Sequence, residues 1–370
     1  MAASMTLKSR VIRFADTREE DIAAWRSLLA RAAPQGNAFL SPAFARAAST
    51  YRPVEVALIE DENGLAAVLP FQFNSRSAEI LRAGDLIGEE MSDSCGLIAR
   101  EDFRCEPKEL LHLAKLSYFY FTHLEESQQR HGLKGQLEQS GLRINLPRGG
   151  EAYWAELGTT SGKFVKDTER RLRRAEQDLG PIRFTFAEGD RATWLKQLIA
   201  AKRAQYMRTK SLDWLGYNDR TRLLEALIAQ NDTDCQPIIS TLHFGDHWVA
   251  THLGLRAGQT LHYWLPVYNP EMRSFAAGRL LLQQIITHAE HEGVTAIDRG
   301  AGESEAKLDF PSSRKVYTSG TWFLRTPQAF AFRAWRSLTL RLEKMARRRS
   351  LVERLAETSH TQPGTTFEKT

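Results

Sequence analysis

The chain has 370 residues, of which 42% are hydrophobic and 26% charged, so its composition is that of a globular protein and excludes a fibrous or mostly disordered chain. At roughly 100–200 residues per domain, the length predicts two packed units. The formal net charge is +5, and eight basic against two acidic residues between Phe332 and Leu355 account for it.

Several classes of protein are disfavoured by what the sequence lacks. Cys95, Cys105 and Cys235 form neither a CxxC motif nor an even disulfide framework, which favours a reducing compartment. The N-terminal residues lack the apolar core of a signal peptide, and there is neither a membrane-spanning apolar run nor a P-loop motif. We therefore expect a cytoplasmic protein, with peripheral contact to the inner membrane as an option.

Helical and strand patterns alternate over the first unit, residues 1–150. Apolar residues at helical spacing predict a helix over 19–32, and Ser41-Pro42 has the signature of a second helix start. The remaining elements expected in this unit are a hairpin of 53–60 and 65–73, short strands at 78–83 and 95–99, a helix near 107–117 and an aromatic strand at 117–121. Residues 131–147 are ambiguous, and the alternation as a whole predicts an α/β unit with a mixed sheet.

The second unit, residues 151–326, shows clearer periodicity. A strongly basic helix begins after Ser161 and ends at Gly180. It is followed by a strand at 182–187, helices at 190–207 and 218–230, three strands at 237–245, 247–256 and 260–268, a loop at 269–274, a helix to about Glu292, a strand at 294–298, a stretch at 299–310 that contains a further helix, and a strand at 316–324.

The clearest candidate for a binding site is the start of the helix that follows residues 269–274. Small residues there let an anionic group approach the backbone, and the first N–H groups of a helix are unpaired at the positive end of its dipole. We expect a pyrophosphate to bind here, through Arg273, Ser274, Ala276, Ala277, Gly278 and Arg279. The alternative is that the small residues only pack the helix tightly on a sheet.

Four stretches carry a resemblance to a known family: 164–180, 198–215, 262–289 and 297–310. They resemble the GNAT acyltransferases, and within them the CelD-like branch associated with bacterial cellulose and exopolysaccharide systems. The resemblance implies two tandem GNAT-like units, as in the Fem-type peptidyltransferases, with acetyl-CoA or another acyl-CoA in the C-terminal unit.

The resemblance also assigns residues. Ser274, Ala277 and Gly278 match the phosphate-facing loop of the family, and its aspartate-glycine-glycine-lysine run is matched by Asp298, Gly300, Gly302 and Lys307. A tyrosine commonly precedes that lysine in the family, whereas this chain has Ala306. If the tyrosine protonates the leaving thiolate, this protein needs another group.

Acyl transfer requires a base for the nucleophile, donors for the oxyanion and often an acid for the thiolate. The candidate catalytic residues are Asp298, Glu303 or Glu305, Lys307 and His252, with Tyr263 and Tyr268 as candidate acids. Each has a structural alternative, such as a strand-end cap for Asp298 or an i,i+4 pair between Glu303 and Lys307. The histidines do not complete a ligand set at metal spacing, so we expect no metal.

Two basic segments remain. The helix at 163–174 is either a solvated face or a guide for a phosphorylated substrate. Residues 327–357 predict a basic amphipathic helix that either docks through Phe332, Trp335 and Leu338 or binds an anionic membrane, and the polar residues 358–370 predict a disordered tail. Nucleic acid is a disfavoured partner because the charge matches no known module.

The leading hypothesis is an acyl-CoA-dependent N- or O-acyltransferase of a bacterial polysaccharide or cell-envelope pathway. Its acceptor would be a small molecule, a saccharide or a lipid-linked compound. Two alternatives stay open: a Fem-like transferase that uses aminoacyl-tRNA, and a non-catalytic, membrane-peripheral accessory protein of polysaccharide synthesis.

Overall fold

The computed structural model describes residues 7–216, 218–310 and 313–339. The elements of the first half are β1 (Lys8–Arg13), α1 (Glu19–Ala32), α2 (Pro42–Ala48), β2 (Val54–Asp61), β3 (Gly64–Gln72), α3 (Arg76–Ile80), β4 (Ala83–Asp85), β5 (Ile98–Ala99), α4 (Pro107–Leu113) and β6 (Tyr118–Glu125).

The last element of the first half is β7 (Leu137–Asn145), and the second half begins with α5 (Gly149–Thr160), α6 (Gly162–Leu179), β8 (Ile182–Thr185), α7 (Arg191–Thr209), α8 (Asn218–Ala229) and β9 (Gln236–Phe244). They continue with β10 (His247–Ala257), β11 (Thr260–Tyr268), α9 (Ala277–His288), β12 (Ala296–Ala301), α10 (Glu305–Leu308) and β13 (Ser313–Phe323), and residues 327–339 are helical.

All of these strands belong to one mixed sheet with the order β1-β2-β3-β4-β6-β13-β7-β12-β11-β10-β9-β8, and β5 pairs with β3. The two ends of this order share one pattern. Each has an antiparallel meander, then one parallel contact of three residue pairs (β4 with β6, β11 with β12), then an antiparallel partner. The pattern is a structural repeat that the sequence does not reveal as a repeat.

The two halves exchange their last strands. β7 comes from the first half of the chain but pairs with β12, and β13 comes from the end of the second half but pairs with β6. β7 and β13 also pair with each other over seven residues, which makes the sheet continuous. A domain boundary near residue 150 stays a prediction, and hydrogen bonds of these two strands tie the halves on either side of it together.

The core follows from strand alternation. Neighbouring residues Ile238 and Ile239 of β9 enter different apolar clusters because successive side chains point to opposite faces of a strand. One cluster lies under α5, α6 and α9, and the other lies under α7 and α8 and also includes α1 and α2. Phe39 and Trp264, from different halves, meet edge to face at 5.7 Å, so this second cluster spans the junction.

Most predicted elements are present, and two differ for local reasons. The strand expected at 78–83 is wrong, because the Ser75 hydroxyl accepts the N–H of Ala78 and caps the helix α3. The ambiguous residues 131–147 contain β7, whose exposed and buried residues fit no simple alternation. The basic helix α6 begins after Ser161 and ends at Gly180 as expected.

Candidate functional site

The sheet splits between β11 and β12. The two strands pair only at Thr260–His262 with Ala296–Asp298, and no described strand pairs with this edge of β11 from Tyr263 to Tyr268. The divergence opens a cleft of about 610 Å³. The cleft is lined by Lys202, Gln205, Tyr263, Trp264, Pro266, Val267, Tyr268, Arg273, Ala276, Ala277, Gly278, Arg279, Leu281, Leu282, Arg299, Ser304, Lys307, Asp309 and Phe310.

Helix α9 points its N-terminus into this cleft. The 3₁₀ turn Pro270–Phe275 leads into it, and Ala276 at the N-cap has φ 58° and ψ 48°. This left-handed conformation costs a non-glycine residue about 1–2 kcal/mol. Within the described residues, the N–H groups of Ala277 and Gly278 have no hydrogen-bond partner, so two donors remain available at the positive end of the helix dipole.

Gly278 leaves open space beside these donors. A Cβ atom built on it would have a single neighbour within 4 Å outside the helix itself, the Tyr268 Cδ1 atom at 4.0 Å. No packing contact therefore explains the glycine. Its bare backbone is accessible to a ligand in the cleft, as the phosphate interpretation of the sequence requires.

The charge of the cleft is strongly positive. Among its described lining residues, Asp309 is the single carboxylate, whereas the cations are Lys202, Arg273, Arg279, Arg299 and Lys307. Arg279 Nη1 donates to Asp167 Oδ2 at 3.0 Å, and its guanidinium lies 4.5 Å from the centre of the Phe164 ring. Arg273 is exposed. This arrangement favours an anionic ligand.

The basic helix α6 contacts the same loop. Arg171 donates to the Ser274 carbonyl oxygen, and the Arg174 guanidinium lies 5.4 Å from the centre of the Phe275 ring. Hydrogen bonds from Arg171 and Arg170 hold the pKa of Asp167 well below its usual range. The sequence allows two interpretations of this helix, a solvated face or a guide for a phosphorylated substrate. In the structure, one face of α6 positions the cleft loop, while Lys163, Lys166 and Arg173 are exposed.

The predicted cofactor residues come together in the cleft, with one exception. Arg273, Ala276, Ala277, Gly278 and Arg279 line it. Ser274 is exposed and is absent from the lining, and its carbonyl oxygen is held by Arg171.

The predicted catalytic residues are dispersed. Lys307 lines the cleft, and its Nζ donates to the carbonyl oxygens of Ala301 at 2.8 Å and Gly300 at 3.4 Å. Glu303 lies outside the lining and pairs with Arg314 at 3.4 Å. The side chains of residues 305 and 306 lie outside the part that the structure describes.

Asp298 lies at the junction between the halves and not in the cleft. It is 3% exposed and accepts hydrogen bonds from Lys315 Nζ at 2.8 Å, from the Tyr317 hydroxyl at 3.2 Å and from the Gly300 N–H at 2.9 Å. Burial by itself would raise the pKa of Asp298, but the Lys315 charge and these bonds hold it well below its usual range. Lys315 also donates to Glu125 of β6, so the carboxylate belongs to a network that ties β12 to β13 and β6.

His252 lies behind the cleft wall. Its fully buried ring stacks on Tyr263 at 4.2 Å between centroids, and Tyr263 lines the cleft. Burial lowers the pKa of His252 to about 3, so the ring is neutral at physiological pH. Gly254 makes room for it, because a Cβ atom there would lie 2.5 Å from the ring.

Several lining residues were not singled out from the sequence. Lys202 and Gln205 come from α7, and Arg299 and Phe310 flank the run that contains Asp298 and Lys307. Lys202 and Gln205 lie within the stretch 198–215, which carries part of the family resemblance. That resemblance does not reveal which side of the helix faces the cleft.

The predicted C-terminal helix is described as far as residue 339. Phe332 is buried against Tyr118 at 5.0 Å between ring centroids, and Arg336 Nη1 donates to the Tyr118 hydroxyl at 3.0 Å. Phe330, Trp335 and Leu338 remain 53%, 46% and 56% exposed. The described part therefore docks through Phe332. Residues 340–370, which include the predicted tail, lie outside the described residues.

Two further searches cover the described residues only. They contain no group of three His, Cys, Asp or Glu residues placed to hold a metal ion. None of their helices is long and apolar enough to cross a membrane.

Comparison with known proteins identifies the fold. The family model for an acetyltransferase (GNAT) domain matches residues 162–308, and no curated protein matches the chain. The crystal structure of FemX is similar over 83% of this chain and 96% of its own, with 10% identity and a TM-score of 0.58.

A second similar structure is the C-terminal domain (DUF2156) of a putative lysylphosphatidylglycerol synthetase from Agrobacterium fabrum, with 12% identity, a TM-score of 0.52 and coverage of 85% of this chain and 95% of that one. The predicted α/β fold of tandem GNAT-like units is confirmed, and the two units share one continuous mixed sheet. Its second half carries a GNAT-type acetyltransferase domain at residues 162–308.

Proposed function

We propose that the protein is an acyltransferase that takes an acyl group from acetyl-CoA or another acyl-CoA and transfers it to an amine or hydroxyl. The observation that carries the proposal is the N-terminus of α9. Its free N–H groups at Ala277 and Gly278, the bare Gly278 backbone and the adjacent Arg273 form an anion site at the point where the sheet splits.

The unpaired edge of β11 supplies the next part of a donor site. From Tyr263 to Tyr268, the backbone groups on this edge face no neighbouring strand among the described residues, while the opposite edge of β11 pairs with β10. An extended chain with amide groups, such as pantetheine, can pair with such an edge. A donor held at its pyrophosphate by α9 would then extend its thioester along β11 into the split, where a backbone N–H can stabilise the oxyanion.

Isothermal titration calorimetry with acetyl-CoA, a long-chain acyl-CoA and CoA tests the proposal. We expect binding of all three, weakened in Arg273→Glu, because a carboxylate beside the helix N-terminus repels the pyrophosphate. Arg183→Glu, which changes an exposed arginine of β8 outside the cleft lining, is the matched control. If the protein binds none of these acyl-CoAs, the proposal is refuted.

The second candidate donor is an aminoacyl-tRNA. Its support is the row of exposed cations on α6, Lys163, Lys166, Arg170 and Arg173, on a helix that touches the cleft loop. A filter-binding assay with tRNA at 50 and 200 mM salt distinguishes the two donors, since a contact to several phosphates weakens steeply over this range. No retention at either salt concentration would remove this candidate.

For the acceptor, we propose a saccharide or a lipid-linked compound of a polysaccharide or cell-envelope pathway, at the cytoplasmic face of the membrane. The support is the resemblance carried by the stretches 164–180, 198–215, 262–289 and 297–310. Mass spectrometry of ligands that co-purify with the protein tests it. The rival interpretation as a non-catalytic accessory protein, suggested by Ala306, is refuted by any acyl transfer from the purified protein.

A further inference from the structure

The wall of the cleft opposite α9 is formed by helix α7. Lys202 and Gln205, one turn apart on this helix, both line the cleft. The Lys202 Nζ atom donates to the Pro266 carbonyl oxygen at 2.9 Å. Pro266 belongs to β11, the strand with the unpaired edge from Tyr263 to Tyr268. The amine is thus held beside β11, along whose unpaired edge the thioester would lie.

Lys202 has no carboxylate within ion-pair distance among the described residues. The ring of Tyr206, on the same helix, has its centre 5.6 Å from Nζ. The other ionisable groups of the cleft wall are Tyr263 and Tyr268 of β11, Arg273 and Arg279 near α9, and Arg299, Lys307 and Asp309. A partly buried lysine without a counter-ion is biased towards its neutral form, which carries a lone pair.

Gln205 offers a second acceptor beside it. Its Oε1 atom is buried and has no hydrogen-bond partner among the described residues. Leaving a buried carbonyl unpaired is unfavourable, and an N–H or O–H of a bound molecule removes that penalty. Neutral Lys202 and Gln205 can therefore both accept hydrogen bonds, and they favour a ligand that donates them, such as a primary amine or a hydroxyl.

We propose that Lys202 is the general base of the transfer and that Gln205 orients the nucleophile. This inference rests on the proposed acyl-CoA donor. The acceptor nitrogen or oxygen attacks the thioester carbon, and the carbonyl electrons move to the oxygen. The C–S bond then breaks as the carbonyl re-forms, and CoA leaves as a thiolate. The proton of the nucleophile goes to Lys202 Nζ, which returns it to the thiolate.

The protonation state of Lys202 suits this role. Burial lowers its pKa from the usual value near 10.5 to about 8, and the deprotonated amine is the active form of a base. The neutral fraction at pH 7 is then on the order of a tenth, and it becomes the major form above pH 8. The rate of transfer should rise with pH up to about 8 and then level off.

The first experiment measures CoA thiol release from acetyl-CoA with ethanolamine, glucosamine and a lysine-containing peptide as acceptors. Lys202→Met keeps the apolar stem and removes the amine, and Lys196→Met, an exposed position on the same helix, is the matched control. We expect Lys202→Met to lower kcat about 10²–10⁴-fold, to lose the rise towards pH 8 and to bind acetyl-CoA with unchanged affinity.

Chemical rescue separates a base from a merely structural side chain. In Lys202→Ala, trimethylamine should restore part of kcat, because a tertiary amine takes up a proton but has no N–H to lose and cannot form an amide. Unchanged kcat in Lys202→Met, with acetyl-CoA binding intact, would overturn this inference alone. Failure of acetyl-CoA to bind wild-type protein would overturn the proposed function and this inference with it.

A second measurement needs no acceptor. Competitive labelling with acetic anhydride from pH 6 to 10, read by peptide mass spectrometry, reports the titration of each lysine amine. We expect Lys202 to titrate near pH 8, below the usual lysine pKa near 10.5, and to be shielded by bound CoA. Titration of Lys202 near the usual lysine pKa, without shielding by CoA, would overturn the inference.

Discussion

Replacing Gly278 with alanine should stabilise the protein and weaken donor binding at the same time. The added Cβ would meet the Tyr268 Cδ1 atom at 4.0 Å, an ordinary contact, so the substitution fits without strain. Alanine in place of a helical glycine stabilises by about 0.5–1 kcal/mol. The methyl group, however, projects into the space that a pyrophosphate needs in order to reach the N–H groups of Ala277 and Gly278.

The loss of binding can be estimated from one hydrogen bond. A bond between a backbone N–H and a charged acceptor contributes about 1.5–3 kcal/mol, which corresponds to roughly a 10- to 150-fold rise in the Kd of acetyl-CoA. Calorimetric titration gives the Kd, and urea denaturation gives the free energy of unfolding.

The control is Gly158→Ala in α5, where an added Cβ would have no neighbour within 4 Å outside the helix itself and would lie away from the cleft lining. It should gain similar stability while its Kd for acetyl-CoA stays at the wild-type value. Wild-type affinity in Gly278→Ala would refute the assignment of this helix start as the phosphate site. Destabilisation of Gly278→Ala would show instead that the glycine is needed for packing.

Three further predictions concern other parts of the chain. Asp298→Asn should lower the free energy of unfolding by about 2–3 kcal/mol at pH 7 with unchanged acetyl-CoA affinity, since it weakens a buried bond to Lys315. Because the folded pKa of Asp298 is depressed, its contribution is present above pH 4 and should fade in urea denaturation as the pH falls below that value. Burial and then the Asp298 charge raise the pKa of Asp93 to about 7. The unfolded chain therefore releases this proton before the folded protein does, and wild type loses stability as the pH rises from about 4 to 7. Asp93→Asn should be more stable than wild type above pH 7, by at most about 4 kcal/mol, and equal to it below pH 4. A chain ending at residue 339 should lose sedimentation with anionic vesicles but keep acetyl-CoA binding, whereas vesicle binding by the shortened chain would contradict a membrane role for residues 340–370.

The predictable part of the fold is the part governed by local pattern. The basic helix α6 and the strands β9 to β11 follow directly from periodicity and from the glycines at their ends. The exchange of β7 and β13 was not predictable, because it depends on which distant strand each one meets. Residues 131–147 carry no pattern that names β12 as a partner.

The same limit applies to the site. The small residues at 276–278 predict a helix start that can bind an anion, and in the structure these residues line the cleft. Lys202 and Gln205 occur on α7, where residues without a distinctive spacing surround them, and only the position of the helix against β11 shows their role. The strand alternation predicts that His252 faces the cleft, but the Tyr263 ring lies between His252 and the cleft.

The run from Ile297 to Lys307 shows why residues that match a family motif need not share one task. β12 borders the split, so its alternate side chains face different surroundings: Arg299 lines the cleft, and Asp298 binds Lys315 at the junction of the halves. Gly300, at φ 66°, ends this alternation, and Lys307 then returns to hold the carbonyl oxygens of Gly300 and Ala301. A change at Asp298 should therefore lower stability, and activity should fall only as far as the folded protein is lost. Loss of activity in Asp298→Asn at wild-type stability would show that the carboxylate itself takes part in the reaction.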